Sequence, residues 1–419
     1  MPNARDLARQ LFDAAVQAAD PAMALREALA HSPFPVPKSG QTYLLAIGKG
    51  APAMMREALN QVQGPHQALA VCHHDNQETA GEARVLRGGH PVPDEAGLTA
   101  AKEVMAFVAQ ATAEDQVIVL VSGGASAILP APVAGVTLED KMVLHKALLG
   151  AGLDIVKMNL VRQQASEIKG GGLLCAAAPA PVTGYILSDV VNDDLRVVSS
   201  GPTVGPIGTR SQARDILQTA QIWDDLPASL KSTFEQPDLA LETPDAKNHL
   251  IGSNRKSVLA MADAVPQGWS VEVDATPLEG DVSDAAAYVV RQMQQALPGS
   301  ILLFGGETTV VLKGTGQGGR NQELAVRVAE SLQSKERLGE NGWVFLSGGT
   351  DGRDGPTDAA GGLVDEASFA RMKAVGLDLP KHLANNDSYA LLEAAGDLLL
   401  TEATGTNVAD VQVAILPKH

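Results

Sequence analysis

The segment Tyr43-Leu44-Leu45-Ala46-Ile47-Gly48-Lys49-Gly50-Ala51 joins an apolar strand to a helix through a turn that places one lysine between two glycines. The apolar run Tyr43–Ile47 has the length of a buried strand, and the pattern that follows predicts a helix over Ala51–Gln61. Similar short apolar runs alternate with helical stretches along the rest of the chain. This alternation predicts βαβ units, a largely parallel sheet and the α/β fold class.

The remaining predicted elements continue this alternation. Strands are predicted at Ala68–Cys72, Val117–Val121, Tyr185–Leu187, His249–Ile251, Val271–Val273, Ile301–Phe304, Val344–Leu346, Leu398–Leu400 and Val411–Ile415. Helices are predicted at Asn3–Ala30 and Asp94–Ala111, with others beginning near Thr137 (as the N-cap), Asn254 and Asp281. Residues 208–248 are predicted to be helical and polar and carry three prolines, so we expect a connecting region between two domains there.

Length and composition narrow the class of protein. A chain of 419 residues favours two domains, and 3% aromatic residues suit α/β layers better than an aromatic-rich sandwich. A net charge of −17 argues against partners that are nucleic acids or anionic membranes. No apolar run has the length of a membrane span, and no secretory signal is expected. The sequence therefore predicts a cytoplasmic enzyme that acts on small molecules.

The cysteine count agrees with a reducing compartment. Cys72 and Cys175 are the only cysteines, which argues against a disulfide scaffold or a cysteine-built zinc site. We expect both to be small buried apolar residues. His73-His74-Asp75 does not predict zinc either, because adjacent residues on a strand point to opposite faces. His90 is expected to be a hydrogen-bonded structural histidine.

Small and polar residues follow several of the predicted strands, where ligands bind in open α/β sheets. Lys49, between Gly48 and Gly50, is predicted to point at a phosphate or a leaving oxygen. Ser122-Gly123-Gly124-Ala125-Ser126 has the composition of an anion nest, with N–H groups and hydroxyls as donors. A glycine turn with capping serines is an equally common interpretation of that segment.

A second glycine-rich region lies near residue 310. Gly305-Gly306-Glu307 and Gly316-Gln317-Gly318-Gly319 flank an apolar run, and Arg320, Asn321 and Glu323 follow. Backbone N–H groups beside a fixed cation are typical of phosphate sites, and a nearby carboxylate suits the accompanying metal. The alternative is a glycine-bearing hairpin followed by a helix with a charged first turn.

Acidic residues at strand ends are the candidates for proton transfer or metal binding. Asp189 follows the strand Tyr185–Leu187, and it is predicted to bind Mg²⁺ or to accept a proton from a substrate hydroxyl. Asp351 lies in the loop 349–355, where a magnesium or substrate role and a simple Asp-Gly turn are about equally plausible.

Taken in order along the chain, these motifs resemble the type II glycerate kinase (glycerate 2-kinase) family. The resemblance extends over nearly the whole chain without a large insertion, in the segments 46–51, 88–97, 121–130, 186–206, 305–323, 347–358 and 404–407. It implies ATP-dependent phosphorylation of the 2-hydroxyl of D-glycerate to 2-phosphoglycerate, with Mg²⁺. It also implies a Rossmann-like N-terminal domain over 1–245, a smaller α/β domain of the MOFRL type over 246–419, and an active site between them.

The resemblance also implies roles for particular residues. Lys49 and Arg320 match the basic motif positions and form the catalytic pair, one on the transferring phosphoryl group and the other on the glycerate carboxylate. Asp189 is the candidate base or Mg²⁺ ligand. The nucleotide phosphates are assigned to Gly48, Gly50, Ser122, Gly123, Gly124, Ser126, Gly316, Gly318, Gly319 and Asn321. Further substrate or metal candidates are Glu307, Glu323, Asp351 and Asn407. Removal of Lys49 or Arg320 is expected to abolish turnover and leave the fold intact.

Two other functions remain open on the sequence. A nicotinamide-dependent hydroxypyruvate reductase needs a complete dinucleotide fingerprint, but Gly48-x-Gly50 continues into Pro52, and only Asp75 stands where a ribose-binding acid belongs. A non-catalytic sensor of a small hydroxy acid would not need Lys49, Asp189 and Arg320 together. The sequence leaves open whether the protein is a monomer or a homodimer.

Overall fold

A computed structural model describes residues 3–238, 242–333 and 342–418 of the chain. The chain divides into two compact units. The N-terminal unit comprises residues 21–251, and the C-terminal unit comprises residues 1–20 together with 252–419. These units differ from the predicted domains 1–245 and 246–419 mainly at the first twenty residues, which hold helix α1 (Ala4–Ala18).

Helix α1 belongs to the C-terminal unit because of where its apolar face is buried. Leu7, Leu11 and Phe12 lie in one hydrophobic cluster with Ile301 and Val413. The single helix predicted over Asn3–Ala30 is wrong, since α2 (Pro21–His31) begins a separate element. A residue that precedes proline is disfavoured in helical conformation, so the chain breaks between Asp20 and Pro21.

The N-terminal unit is built on a six-stranded sheet of order β3-β2-β1-β4-β5-β6. Its strands are β1 (Thr42–Ile47), β2 (His66–His73), β3 (Arg84–Gly88), β4 (Gln116–Val121), β5 (Val182–Leu187) and β6 (Ala246–Gly252). The first five pair in parallel, which confirms the predicted Rossmann-like sheet. Every residue of β1, β4 and β5 is buried, as expected for strands that are covered on both faces.

Helices surround this sheet and fill the sequence between its strands. They are α2, α3 (Ala51–Gln61), α4 (Glu95–Val108), α5 (Ala125–Ile128), α6 (Leu138–Gly150), α7 (Ile155–Gln164), α8 (Gly172–Ala177), α9 (Arg210–Thr219) and α10 (Ala228–Glu235). Thr137 caps α6 in a capping box with Asp140, which confirms the predicted start. The supposed connecting region instead contributes α9 and α10 to a hydrophobic cluster of this unit that includes Leu217 and Phe234. Residues 239–241 of that region lie outside the described residues.

The C-terminal unit contains a mixed seven-stranded sheet of order β12-β11-β10-β13-β9-β7, with β8 also paired to β9. The strands are β7 (Ser270–Val273), β8 (Leu278–Asp281), β9 (Ser300–Thr309), β10 (Val344–Gly349), β11 (Ala359–Asp365), β12 (Leu398–Leu400) and β13 (Asp410–Leu416). The helices are α1, α11 (Asn254–Asp263), α12 (Val282–Gln295), α13 (Arg320–Leu332), α14 (Ser368–Ala374), α15 (Leu379–Ala384) and α16 (Ser388–Ala395). The α/β class is confirmed here, but the expectation of parallel pairing is not, because β13 runs antiparallel to both β9 and β10.

The structure shows how far the two cysteines are buried and whether any described helix could span a membrane. Cys72 is buried on β2 as predicted, whereas Cys175 on α8 is exposed, so the prediction that both are buried is wrong for Cys175. Within the described residues, no helix combines the length and the apolar character that crossing a membrane requires.

Candidate functional site

In the N-terminal unit, the turn after β1 is fixed to the segment after β4. Gly48 has φ of +114°, and a Cβ built on it would lie 2.3 Å from the carbonyl oxygen of Ser122, so this position requires glycine. The Lys49 N–H donates to the Gly123 carbonyl oxygen at 2.9 Å. The Gly50 N–H donates to Ser122 Oγ at 3.0 Å. Two of the predicted motifs therefore form one surface at the carboxyl edge of the sheet.

The N–H groups of this surface divide into two sets. Those of Gly48, Gly50 and Ser122 are bonded within the fold, so these amides are not free to donate to a phosphate, and the phosphate role of the three residues stays a prediction. The four N–H groups of residues 123–126, at the start of α5, have no acceptor among the described residues. Gly124 adopts the left-handed conformation with φ of +87°. Successive N–H groups around such a residue form a concave anion site.

Lys49 and Asp189 lie against this amide segment. A Cβ built on Gly124 would be 3.2 Å from Lys49 Cγ, and one built on Gly123 would be 2.3 Å from Asp189 Oδ2. Within the described residues, Lys49 makes no ion pair. Burial raises the pKa of Asp189, and the charge of Lys49 opposes this only in part. The site thus presents an unpaired ammonium and a carboxyl that is readily protonated.

His90 also contacts this segment. A Cβ built on Gly124 would lie 3.2 Å from His90 Nε2. Burial and then the charge of Lys49 lower the pKa of His90 to about 4, so its ring is neutral near pH 7. The hydrogen bond that was expected for His90 is not found among the described residues. Its neutral ring lies against Gly124 and lines the site.

Ser199 and Ser200, which have strained backbone conformations, form hydrogen bonds with the same segment. Ser199 and Ser200 have φ of +50° and +61°, values that non-glycine residues rarely adopt. Ser199 Oγ donates to the Ser122 carbonyl oxygen at 3.0 Å, and Ser200 Oγ lies 3.0 Å from Ser126 Oγ. Strain of this kind persists where surrounding contacts impose it and is frequent at ligand sites.

The contact between Gly123 and Asp189 gives a direct prediction. Gly123→Ala places a methyl group where the Asp189 carboxylate lies, so we expect the carboxylate to move and kcat to fall about hundredfold. The assay is steady-state turnover, with circular dichroism to confirm the fold. Gly150→Ala is the matched control, because a Cβ at Gly150 meets nothing within 4 Å. Equal turnover of the two variants would contradict the placement of Asp189.

In the C-terminal unit, Arg320 is the first residue of α13 and is paired with carboxylates. Its Nε and Nη2 atoms donate to Asp410 at 2.6 and 3.0 Å, and Nη1 lies 3.1 Å from Glu307 Oε1. Burial lowers the pKa of Arg320, but the hydrogen bond and charge of Asp410 outweigh it and raise that pKa above its usual value. Arg320 is therefore a permanent cation whose orientation is set by a carboxylate with 1% side-chain exposure.

The glycine-rich loop before Arg320 has a structural role that the sequence did not indicate. The N–H groups of residues 313–315 donate to the Asn385 and Asn386 side chains, that of Gly316 to the Asn385 carbonyl oxygen, and that of Gln317 to Asp387. A Cβ on Gly316 or Gly318 would collide with residues 385–388. Gly316 is therefore not a phosphate donor as predicted, and only Gly318 and Gly319 keep that prediction.

The residues after Arg320 are also committed to the fold. Asp354 accepts the N–H groups of Asn321 and Gln322 at 3.1 and 2.8 Å, and so caps α13. Burial raises the pKa of Asp354 to about 6. The Asn321 side chain accepts from Ser347 Oγ at 2.6 Å and is 1% exposed, which contradicts a direct phosphate contact.

The other acidic candidates fall into two groups. Glu323 forms an ion pair with Arg327 at 2.7 Å within α13, which leaves it a structural role instead of the predicted metal or substrate role. Asp351 accepts the Arg353 N–H and Asn407 accepts the Ala409 N–H, as in ordinary polar turns. Their substrate or metal roles, like that of Glu307, stay predictions.

Two features of the site were missed from the sequence. Asp410 opens an apolar strand and gave no signal, since its partner Arg320 is ninety residues away. The cations Lys141, Arg162 and Lys169 line a cavity next to His90 and Ser126. They lie in and after helices, where charges usually indicate a solvated face, and only their burial in the fold distinguishes them.

Comparison with known proteins agrees with this architecture. A domain of unknown function, DUF4147, matches residues 7–235, and the MOFRL family matches residues 300–410. Glycerate 2-kinase from Pyrococcus horikoshii is 35% identical, over 98% of this chain and 97% of its own. The crystal structure of glycerate kinase from Thermotoga maritima superimposes with a TM-score of 0.88 at 33% identity, over 98% of this chain and 99% of that one.

One relative carries a different name. A protein from Agrobacterium vitis, provisionally named a hydroxypyruvate reductase, is 34% identical over 99% of this chain and 95% of its own. Both the family matches and the full-length identities lead to one conclusion: the chain belongs to the type II glycerate kinase (glycerate 2-kinase) family.

Proposed function

We propose that this protein is an ATP-dependent kinase that phosphorylates the 2-hydroxyl of D-glycerate to give 2-phosphoglycerate. Full-length relatives named as glycerate 2-kinases support the reaction. The observation that carries its chemistry is the segment 123–126, whose N–H groups have no acceptor among the described residues and whose Gly124 lies against the side chain of Lys49. Such a site is suited to a polyphosphate.

The proposed chemistry uses few groups. The amides of residues 123–126 and the Lys49 ammonium bind the nucleotide phosphates and stabilise the charge on the transferring group. The 2-hydroxyl oxygen of glycerate attacks the γ-phosphorus, the bond to the ADP oxygen breaks, and Asp189 accepts the hydroxyl proton. A carboxyl whose pKa is raised by burial is a stronger proton acceptor than an ordinary aspartate. Arg320 as the second catalytic cation stays a prediction.

Asp189 is the residue of this site that could bind Mg²⁺. Mg²⁺ usually binds through one or two carboxylates and keeps water and phosphate ligands. Among the described residues no cluster of three or more potential ligands occurs, while Asp189 offers a carboxylate beside the amide segment. Asp189 would thus hold an ion that arrives with ATP, where the ion neutralises charge on the β- and γ-phosphates. Cytoplasmic location and oligomeric state also stay predictions from the sequence.

The reaction is tested with purified protein, ATP, Mg²⁺ and D-glycerate. We expect ADP to form only when glycerate is present, and ³¹P and ¹³C NMR of the product to show the phosphate on carbon 2. Formation of the 3-phosphate would contradict the proposed acceptor. In a parallel sample with NADH and hydroxypyruvate we expect constant absorbance, and nicotinamide oxidation without ADP formation would establish the reductase instead.

The role of Asp189 predicts a particular pH dependence. Because the proton acceptor must be ionised, kcat falls as the pH falls through the Asp189 pKa, and burial places this limb above the range of an ordinary aspartate. Asp189→Asn should lower kcat by about 10²- to 10⁴-fold and abolish the acid limb. If the variant keeps the limb but needs much more Mg²⁺, Asp189 is the metal ligand and not the base.

A further inference from the structure

A cavity of about 190 Å³ lies next to the amide segment in the N-terminal unit. Gly124 and His90 belong both to its lining and to the surroundings of Lys49, and Ser126 lines it as well. Other lining residues lie on α6, on α7 and after α7. A ligand in this cavity would therefore lie beside any phosphate that Lys49 and the amides of residues 123–126 hold.

The charged residues that line this cavity are all basic. Lys169, which is 7% exposed, donates to the Ser126 carbonyl oxygen at 3.0 Å and to Ser126 Oγ at 2.6 Å. Lys141 donates to the Ala165 carbonyl oxygen at 3.2 Å. Arg162 Nη2 lies 2.7 Å from His145 Nδ1, and its Nε is buried with no hydrogen-bond partner. Within the described ranges, these three cations form no ion pair with a carboxylate.

Unpaired cations so close together are unstable in a protein unless an anion joins them. Burial and then the charge of Arg162 lower the pKa of Lys141 to about 7. Burial and then the charges of Lys141 and Arg162 lower the pKa of Lys169 well below its usual value. Glu167 acts on Lys141 from an exposed position and does not pair with it. Burial thus disfavours the charged forms of both lysines in the free protein, and an anion bound between them would favour those charged forms.

We propose that this cavity binds the carboxylate of the acceptor acid, with Lys169 and Arg162 as its principal partners and Lys141 as the third cation. The inference rests on the proposed function and names the residues that select an acid over a neutral alcohol. It places the carboxylate here instead of on Lys49 or Arg320, the two residues to which the family resemblance gave it. Lys49 is then left for the phosphoryl group, and Arg320 is already occupied by Asp410.

The chemistry of a three-carbon hydroxy acid matches the lining. A carboxylate accepts charge-assisted hydrogen bonds from ammonium and guanidinium groups, which are stronger than bonds between neutral groups. Ser126 and the neutral ring of His90 offer partners for the hydroxyl groups of the acid. A carboxylate held by Lys169 and Arg162 would leave the 2-hydroxyl close to the Gly124 side of the cavity, where Lys49 and the amides of residues 123–126 lie.

Equilibrium binding of D-glycerate, measured by calorimetry with and without a non-hydrolysable ATP analogue, tests this assignment. We expect Lys169→Met and Arg162→Gln each to weaken D-glycerate binding about ten- to hundredfold, as loss of a charge-assisted hydrogen bond does. Binding of the ATP analogue should change less than about twofold, which a general disruption of the site would not allow. Glycerol, which lacks the carboxylate, should not bind the wild-type protein, and the KM for D-glycerate should rise with the dissociation constant.

Controls separate this inference from the proposed function. Lys146→Met removes an exposed lysine of α6, the helix that carries Lys141, and should bind D-glycerate as the wild type does. Lys169→Met also removes the two hydrogen bonds to Ser126, so its unfolding temperature is measured beside its binding; if it does not fold, Arg162→Gln carries the test. Undiminished D-glycerate binding by both variants would overturn this inference alone. If inorganic phosphate binds to Lys141, Arg162 and Lys169 and D-glycerate does not, the assignment of the carboxylate to this cavity is wrong. Absence of D-glycerate binding and turnover in the wild type would overturn the proposed function itself.

Discussion

Lys49→Met is expected to lower kcat for phosphoryl transfer by about 10³-fold, or about 4 kcal/mol of transition-state stabilisation, without lowering the stability of the protein. The loss follows because Lys49 supplies the fixed positive charge beside the free amides of residues 123–126. Stability should not change, since among the described residues Lys49 has no ion-pair partner that would be left behind. Steady-state kinetics and thermal unfolding measure the two effects.

The matched control for this variant is Lys102→Met, an exposed lysine on α4. It should match the wild type in both kinetics and unfolding temperature. A Lys49→Met enzyme that turns over within about tenfold of the wild type would remove Lys49 from the phosphate site. A large drop in its unfolding temperature would instead show a structural partner.

Arg320→Met is expected to lower stability as well as turnover, which revises the expectation that its removal leaves the fold intact. The Asp410 side chain is 1% exposed and receives two hydrogen bonds from Arg320. Removal of one partner of a buried ion pair leaves an uncompensated charge and costs about 3–5 kcal/mol. Urea denaturation, followed through the transition of the C-terminal unit, measures this loss.

A second substitution separates the structural part of this effect from the catalytic part. Asp410→Leu in the Arg320→Met background removes the stranded carboxylate and should restore most of the lost stability, because a buried ion pair is often replaced by apolar residues at little cost. Turnover should stay low in the double variant if Arg320 acts in catalysis. Recovery of turnover together with stability would reduce Arg320 to a structural residue, and an unchanged urea midpoint in the single variant would contradict the pairing itself.

The parts of the fold that depend on local sequence were predictable. The run Tyr43–Ile47, its glycine turn and the helix after it are each determined by neighbouring residues, and they were found where expected. The direction of the strands in the C-terminal unit was not predictable, since a short buried apolar run such as Val411–Ile415 looks the same whether its neighbours run parallel or antiparallel. The placement of α1 depends on Phe12 meeting strands about three hundred residues away, which no local pattern indicates.

In the candidate site, too, the residues that follow local sequence patterns were predictable, and those that depend on contacts distant in the sequence were not. Lys49, Gly123 and Asp189 were identified because small and polar residues follow strands, and ligands bind at the carboxyl edge of such sheets. Gly316 is predicted to bind phosphate because composition alone does not distinguish a free amide from one that is bonded to a segment some seventy residues later. The cationic cavity was invisible for a related reason, because burial of Lys169 and Arg162 is a property of the assembled helices.

Lys49 and the amides of residues 123–126 are proposed to bind the phosphoryl group that is transferred. A crystal structure of the protein with Mg²⁺, a non-hydrolysable ATP analogue and D-glycerate tests this most directly. We expect oxygen atoms of the γ-phosphate within hydrogen-bonding distance of Lys49 Nζ and of the Gly123 and Gly124 N–H groups. A γ-phosphate bound elsewhere, with Lys49 Nζ in contact with solvent alone, would contradict it.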